Sequence, residues 1–320
     1  MPARAASAAL TALAPYLRCP HCGGALGFVD GALGCDRGHR FDPARQGHVA
    51  LPVPGRNPAR GDSAEMVAAR VKFLGVGHYA PIAAGVVAAA GEVLGWPGNS
   101  RELVVDSGAG TGYYLGAVLD DHHGAWGLAL DSSRPALRRA VRSHARVAGV
   151  ICDVWQELPV QTGAADLILN VFAPRNPGEI ERTLAAHGAL ITVTPTPRHL
   201  HQLVARLGLL GVAEDKQERL HTGLSPHLES VRRRELDFEM TLSPQDVAAL
   251  VTMGPSSHHL DRDALRRAAE ALPGELGVTA AVVIETFRRA GTRKGGGETR
   301  VCLGEPSTPR PAHRGRRTAG

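Results

Sequence analysis

Four residues near the start of the chain have the types and spacing of a metal site: Cys19-Pro20-His21-Cys22, then Cys35-Asp36-Arg37-Gly38-His39. The spacing C-x2-C-x12-C-x3-H brings two short knuckles together, so that three thiolates and one imidazole can surround zinc tetrahedrally. With Cys19, Cys22, Cys35 and His39 as ligands, no coordination position is left for water or substrate. The expected role is therefore structural rather than catalytic. His21, inside the first knuckle, is the rival ligand; otherwise it is an exposed loop histidine. From Cys19 to about Pro54 the chain is rich in Gly, His and Cys and has few aliphatic residues. Bound metal is expected to supply the cohesion that a hydrophobic core would otherwise give. Cys152 and Cys302 stand alone. Five cysteines cannot all pair internally, and this usage fits a reducing cytoplasm better than a disulfide framework.

A second constellation ends an apolar run: Val105-Asp106-Ser107-Gly108-Ala109-Gly110-Thr111-Gly112. Glycines after a strand let the backbone pass close to a cofactor, and the helix that follows can face polar ligand groups. A dinucleotide fingerprint needs Gly at position 113, where Tyr113 stands, and no Lys-Ser or Lys-Thr follows to make a Walker A loop. GxGxG after an acidic strand end resembles the motif of class I S-adenosylmethionine methyltransferases. A nicotinamide or flavin cofactor and a purely structural turn are the alternatives. In the methyltransferase reading, Asp106, Gly108, Ala109, Gly110, Gly112, Tyr113 and Tyr114 surround the cofactor. Asp131, ending a second strand, accepts both ribose hydroxyls or else caps the next helix. Asp153, ending a third, receives the adenine amino group, with Val154 and Trp155 against the ring. Asn170 to Pro174 lie at the carboxyl end of a fourth strand, where open α/β sheets place reacting groups. Phe172, Ala173 and Pro174 are thus the expected substrate-side residues, and no side chain stands out as a proton acceptor.

These residues need a scaffold, and the chain is long enough for one: 320 residues, 43% of them apolar. Strand-like runs at ELVVDS, GAWGLALD, VAGVICD, ADLILNVFAP and GALITVTP alternate with helical or turn segments, which implies a doubly wound parallel sheet. The strongly β-branched TAAVVIETF, ending at Phe287, and ELDFEMTL before it are expected to add strands. The expected organisation is a loose Ala-rich leader at 1–15, a zinc-binding module at 16–54, a helical linker at 55–97, a Rossmann-like methyltransferase domain at 98–287 and a basic tail without fixed structure at 288–320. In the linker, helices are expected from about Ser63 and over Pro81 to Leu94, with Asp62 or Ser63 as the first cap. Lys and Arg total 36 against 31 Asp and Glu, but from Arg288 onward nine basic residues face only Glu298 and Glu305. The basic character thus belongs to the tail. No apolar run of membrane-spanning length and no signal peptide is read, so a cytoplasmic protein with no membrane partner is expected.

Taken together, the N-terminal Cys3His module, RGDSAEMVAAR at 60–70, GHYAPI at 77–82, DSGAGTGYY at 106–114, LDSS at 130–133, FAP at 172–174 and TPTPRHL at 194–200 resemble the 23S ribosomal RNA guanine-N1 methyltransferases, from about Tyr16 to Phe287. That family has a housekeeping branch and a macrolide-producer branch that confers resistance to tylosin and mycinamicin. The resemblance implies S-adenosylmethionine as cofactor, structural zinc, a guanine in a 23S rRNA hairpin near the peptide exit tunnel as acceptor, an N-terminal module that helps to read the RNA, and a homodimer. The family commonly has Cys where Ala109 stands, a change that removes no charge. Arg18, Arg37, Arg40, Arg45, Arg60, Arg70, Lys72, His78, Arg198 and His199 are the expected contacts to RNA phosphates. Tyr113, Tyr114 or Phe172 would hold a base that has left its stack.

Overall fold

The computed structural model describes residues 8–56, 61–95, 101–254 and 262–290. Helix α1 (Ala8–Leu13) opens it. Strands β1 (Gly27–Val29), β2 (Ala32–Gly34) and β3 (Arg40–Phe41) form a small antiparallel sheet, and β4 (His48–Ala50) follows. Helices α2 (Ala64–Val76) and α3 (Ala80–Leu94) precede the alternating region of β5 (Leu103–Ser107), α4 (Tyr113–Asp121), β6 (Trp126–Asp131), α5 (Arg134–Ala140), β7 (Val147–Ile151), β8 (Ala165–Val171), α6 (Pro177–Thr183) and β9 (Leu184–Pro195). The C-terminal part contains α7 (His201–Leu207), α8 (Lys216–Leu224), β10 (Leu228–Leu242), α9 (Pro244–Met253), α10 (Arg262–Glu270) and β11 (Leu276–Arg289).

Among the described residues, eight strands form one sheet in the order β10-β11-β9-β8-β5-β6-β7-β4. Strands β4 to β9 run parallel, and β11 and β10 add antiparallel to β9. This is the doubly wound sheet expected from the runs of apolar residues, extended by two strands at its C-terminal edge. Period-two alternation explains why both faces are covered. Val104 of β5 packs into one apolar cluster with α2, α3, α4 and α9, while Leu103 and Val105 pack into the other. Helix starts follow their capping residues. Ser63 accepts from the Met66 amide at 3.3 Å, Ser133 accepts from the Ala136 amide at 3.2 Å, and Ser243 and Asp246 form a reciprocal capping box. Gly77 closes α2 at φ 95°.

Three expected boundaries do not hold. Residues 8–15 are not a loose leader: Ala9, Leu10, Leu13 and Ala14 are buried, and α1 packs on β6 and β7. The zinc module is not self-contained, because β4 pairs in parallel with β7 and Leu17, Leu26, Leu33, Val49 and Leu51 share a core with the large sheet. Nor are α2 and α3 a linker. Phe73, Leu74, Ile82, Val86 and Ala90 bury in the apolar cluster on the other face of that sheet, with α3 against β8 and β9 and α2 against α9. Arg288 and Arg289 complete β11. The rest of the expected tail, residues 291–320, lies outside the described residues, as do residues 1–7 of the leader and Arg60. No single helix among the described residues is long and apolar enough to cross a membrane. The bent pair α2 and α3 passes only by length and composition, and its residues Met66, Phe73, Leu74, Ile82 and Val86 are buried in the core.

Docking of α1 has a measurable consequence. Leu10 is fully buried, so Leu10→Ala is expected to lower unfolding free energy by about 2–5 kcal/mol, a downward shift of the urea midpoint. An unmoved midpoint would mean that α1 contributes no packing.

Candidate functional site

The metal ligands converge from two knuckles. The Gly23 amide donates to the Cys19 carbonyl at 2.8 Å, and the Gly38 amide to the Cys35 carbonyl at 2.9 Å. Cys35 Sγ lies 3.3 Å from His39 Nδ1, Cys19 Sγ 3.6 Å from the same atom, and Cys22 Sγ 3.7 Å from Cys35 Sγ. All four ligand atoms lie within 4.8 Å of one another. A tetrahedron with zinc–sulfur arms of about 2.3 Å has edges of roughly 3.8 Å, so the donor set fits a four-coordinate ion. His21 is not in the group. Its exposed ring stacks on His39, with centroids 4.8 Å apart, and backs the ligand from outside. The module is tied to the sheet domain by the Arg18 amide, which donates to the Pro159 carbonyl at 3.1 Å, and by an ion pair between Arg18 and Glu157.

The glycine turn sits at the carboxyl ends of β5 and β6. The amides of Gly108 and Ala109 donate to the Leu130 carbonyl at 2.9 and 3.0 Å, and the Gly110 amide donates to Asp131 Oδ2 at 2.8 Å. The other Asp131 oxygen accepts from the Ser133 amide at 2.7 Å. Gly108 has φ 84°, and a Cβ there would lie 2.4 Å from the Ala173 Cβ, so glycine is required twice over. Asp106 is 2% exposed at the end of β5, and burial together with the nearby Asp131 carboxylate pushes its carboxyl up to about 8.

A cavity of about 750 Å³ opens beside this turn. Asp106, Gly108, Ala109, Gly110, Tyr113, Tyr114 and Phe172 line it, joined by Arg70 and Met253 on the α2 and α9 side and by Tyr79, His199 and Lys216 opposite. The expected residues Gly112, Asp131, Asp153, Ala173 and Pro174 do not line it. Gly112 is the cap of α4, where a Cβ would meet the Ala140 Cα at 2.9 Å. Asp131 holds the turn and the start of α5, behind residues 61–62: Ser133 Oγ donates to the Asp62 carbonyl at 2.7 Å. Asp153 accepts from the Trp155 amide at 3.0 Å and from Gln156 Nε2 at 3.1 Å, shaping its own turn. Val154 is buried, while Trp155 is exposed. Ala173 packs on Gly108, and the Pro174 carbonyl accepts from Asn170 Nδ2 at 2.8 Å. Arg175 Nε in turn donates to Asn170 Oδ1 at 3.0 Å, which fixes the FAP turn from below.

Two of the residues expected to meet phosphate are inside the protein. His199 is 8% exposed, and burial and the nearby Lys216 charge hold its imidazole down at about 4, so it is neutral near pH 7. His78 lies tilted over Phe73, with ring centroids 5.0 Å apart, and is 3.4 Å from Asp246. Arg70 is paired with Asp62 and donates to the Met253 carbonyl at 3.1 Å, forming part of the cavity wall. Arg37, Arg40, Arg45, Lys72 and Arg198 are exposed, although Arg40 and Arg198 have acidic neighbours in Asp42 and Asp237. Tyr79 was not singled out by type or spacing, although it lies within the GHYAPI motif. Its hydroxyl lies 3.2 Å from His199 Nε2, across 120 residues of sequence. The hydroxyl of Tyr114, buried on the glycine-turn side of the cavity, has no hydrogen-bond partner. A cavity with an orphaned hydroxyl, a buried carboxyl and a glycine cradle fits a polar organic ligand of cofactor size.

A zinc-ribbon family model described as RlmA, N-terminal, matches residues 17–57. The chain is 45% identical over 275 residues to a 23S rRNA (guanine(748)-N(1))-methyltransferase of Streptomyces fradiae, covering 85% of this chain and 96% of the relative. It is 46% identical over 290 residues to a putative 23S rRNA (guanine-N(1)-)-methyltransferase of Micromonospora griseorubida, covering 86% and 98%. A putative 23S rRNA (guanine-N(1)-)-methyltransferase of Bacillus subtilis is 30% identical over 194 residues, covering 58% and 66%.

Stripping the metal should act on the module first. A strong chelator is expected to release one zinc per chain, expose three thiols to a thiol reagent and lower the thermal midpoint, with most far-UV circular dichroism retained. Complete zinc removal with no change in midpoint or thiol reactivity would rule out a structural role.

Proposed function

This chain belongs to the 23S rRNA guanine-N1 methyltransferase family, and we propose that it methylates N1 of one guanine in a 23S hairpin beside the peptide exit tunnel, as the macrolide-resistance branch does. The observation that carries the branch assignment is the 45% identity, over 96% of its length, to a relative named for guanine 748, against 30% identity to the Bacillus relative. The enzyme uses S-adenosylmethionine and a structural zinc. With ribosomal RNA as substrate it would work in the cytoplasm, and a homodimer completes the proposal, to be read directly by light scattering.

S-adenosylmethionine supplies a methyl group already activated by a sulfonium. The chain therefore has to align it with guanine N1 and exclude water, and positioning can lower much of the barrier. In this reading the glycine turn and Asp106 face the cationic end of the cofactor. Phe172, 39% exposed at φ 52°, offers its ring to an extruded base. Asp131 retains acceptor capacity for ribose hydroxyls beyond its two backbone donors. Asp153, Val154 and Trp155 would form the adenine end of the site. Exposed Arg37, Arg40 and Arg45 on the zinc module, with Lys72 and Arg198, would meet phosphates and make RNA affinity fall with salt.

Three experiments test this. Labelled S-adenosylmethionine incubated with 23S rRNA lacking the modification should give one primer-extension stop in the exit-tunnel hairpin, because N1 methylation blocks pairing. Labelling elsewhere in the RNA would remove the resistance assignment, and no RNA labelling by cofactor-binding protein would point to a small-molecule acceptor. Expression in a susceptible bacterium should also raise tolerance to tylosin or mycinamicin.

The third concerns pH. A carboxyl raised to about 8 keeps its proton at pH 7 in the free protein, and a cationic ligand beside it lowers that value. Cofactor binding near pH 7 should therefore release a proton, and affinity should rise with pH up to about 8 and then level. Calorimetry in two buffers of different ionisation enthalpy reads the proton. Asp106→Asn should bind more weakly and lose the pH dependence; unchanged affinity and proton release would take Asp106 out of the cofactor site.

A further inference from the structure

The cavity wall opposite the glycine turn contains a hydrogen-bonded pair whose direction can be assigned. His199 Nδ1 accepts from the Ala281 amide at 3.1 Å, so that nitrogen carries no proton. The ring is neutral near pH 7, since burial holds it at about 4, and its one proton therefore sits on Nε2. Nε2 lies 3.2 Å from the Tyr79 hydroxyl, so the imidazole donates and the tyrosine oxygen accepts. Burial raises Tyr79, which keeps its proton at all ordinary pH. Tyr79 thus has an O–H whose acceptor is not His199, on a side chain that is 4% exposed and lines the cavity. The ring is pinned: it meets Phe73 edge-on at 5.1 Å between centroids and lies 6.0 Å from Phe172. Phe172 in turn lies 5.8 Å from the His199 ring. The free donor is therefore set beside the exposed aromatic face of the cavity.

We propose that Tyr79, oriented by His199, donates a hydrogen bond to the exocyclic carbonyl oxygen of the acceptor guanine. This rests on the guanine-N1 reading above. In the reaction, N1 gives its proton to water and keeps the electron pair, which spreads onto O6. The pair then forms the bond to the methyl carbon as the carbon–sulfur pair returns to sulfur. Charge on O6 is therefore largest while the N1 proton is absent and the methyl is not yet bound. A fixed donor in a buried wall stabilises that state more than the neutral ground state, without reorganising. Tyr79 would be a catalytic residue, and His199 a positioning residue that fills the tyrosine oxygen's acceptor role and leaves only its proton to offer.

Tyr79→Phe keeps the ring and its packing, and is expected to lower kcat by about 10²-fold, the scale of losing one such donor, with cofactor and RNA affinity within about 2-fold of wild type. His199→Leu should give a similar loss, the double variant no further loss, and His199→Gln, which can both accept and donate, should recover part of the rate. The atom is tested with a hairpin carrying 6-thioguanosine at the methylated position, since sulfur is a poor acceptor. The wild-type to Tyr79→Phe rate ratio should collapse toward one on the thio substrate. A ratio equal to that on guanine, additive losses in the double variant, or a fully active Tyr79→Phe would each overturn the proposal. If wild-type enzyme makes no N1-methylguanine, the guanine reading fails by itself. A Tyr79→Phe defect on the actual acceptor would then still assign the donor, to a different carbonyl.

Discussion

Three consecutive backbone amides, those of Gly108, Ala109 and Gly110, are given to the end of the neighbouring strand rather than to a ligand: the first two to the Leu130 carbonyl, the third to the Asp131 carboxylate. The arrangement is possible only because Gly108 and Gly110 adopt φ 84° and 53°, a region that costs an L side chain about 1–2 kcal/mol. It also brings Gly108 so close to Ala173 that the ends of β5, β6 and β8 become one rigid rim. Asp106 pays the electrostatic consequence. Set behind that rim and near a second carboxylate, it is poorly solvated, and near pH 7 it keeps its proton. The same contact that shapes the cradle thus tunes the acid within it.

The second constraint is the continuity between the zinc module and the sheet. Ligation by Cys19, Cys22, Cys35 and His39 closes loops that have little core of their own, but β4 then joins β7 and Leu17, Leu33 and Val49 enter the sheet's apolar cluster. Metal and hydrophobic burial therefore act on one body. A module fused to a sheet edge presents Arg37, Arg40 and Arg45 at a fixed distance from the cavity, and ordering an interdomain tether adds no entropic cost to RNA binding.

The parallel strands were legible because they are buried on both faces and so read as unbroken apolar runs closed by Asp or Gly, and the metal ligands because their spacing spells the knuckles. What escaped has a common physical cause. Helix α1 has six residues, too few to form without tertiary support, and β4 has three, so neither carries a periodic signal of its own. Tyr79 and His199 meet across 120 residues of chain, a pairing no local pattern records. His199 was expected to meet RNA phosphates beside Arg198 because both follow the fifth strand at its carboxyl end. The fold instead turns it inward, where the Ala281 amide claims one nitrogen and burial keeps the ring neutral.

Two residues other than glycine along the cavity, Phe172 at φ 52° and Leu200 at φ 57°, adopt left-handed backbone, each a strain of order 1–3 kcal/mol. Both are held by their neighbours. The Phe172 amide donates to the Val193 carbonyl at 3.0 Å, and the Leu200 amide to the Thr279 carbonyl at 2.8 Å. Asn170 bridges the Ser107 and Pro174 carbonyls, joining the strained turn to the glycine-bearing strand. The added strand β11 is therefore part of the site's foundation, since its Thr279 carbonyl accepts from the Leu200 amide and its Ala281 amide donates to the His199 ring. Strain at the carboxyl ends of β8 and β9 is balanced by hydrogen bonds from the strands beside them. The aromatic wall is thereby preorganised: Phe172, Tyr79 and His199 are already in place in the free protein, and their ordering does not have to be supplied by binding.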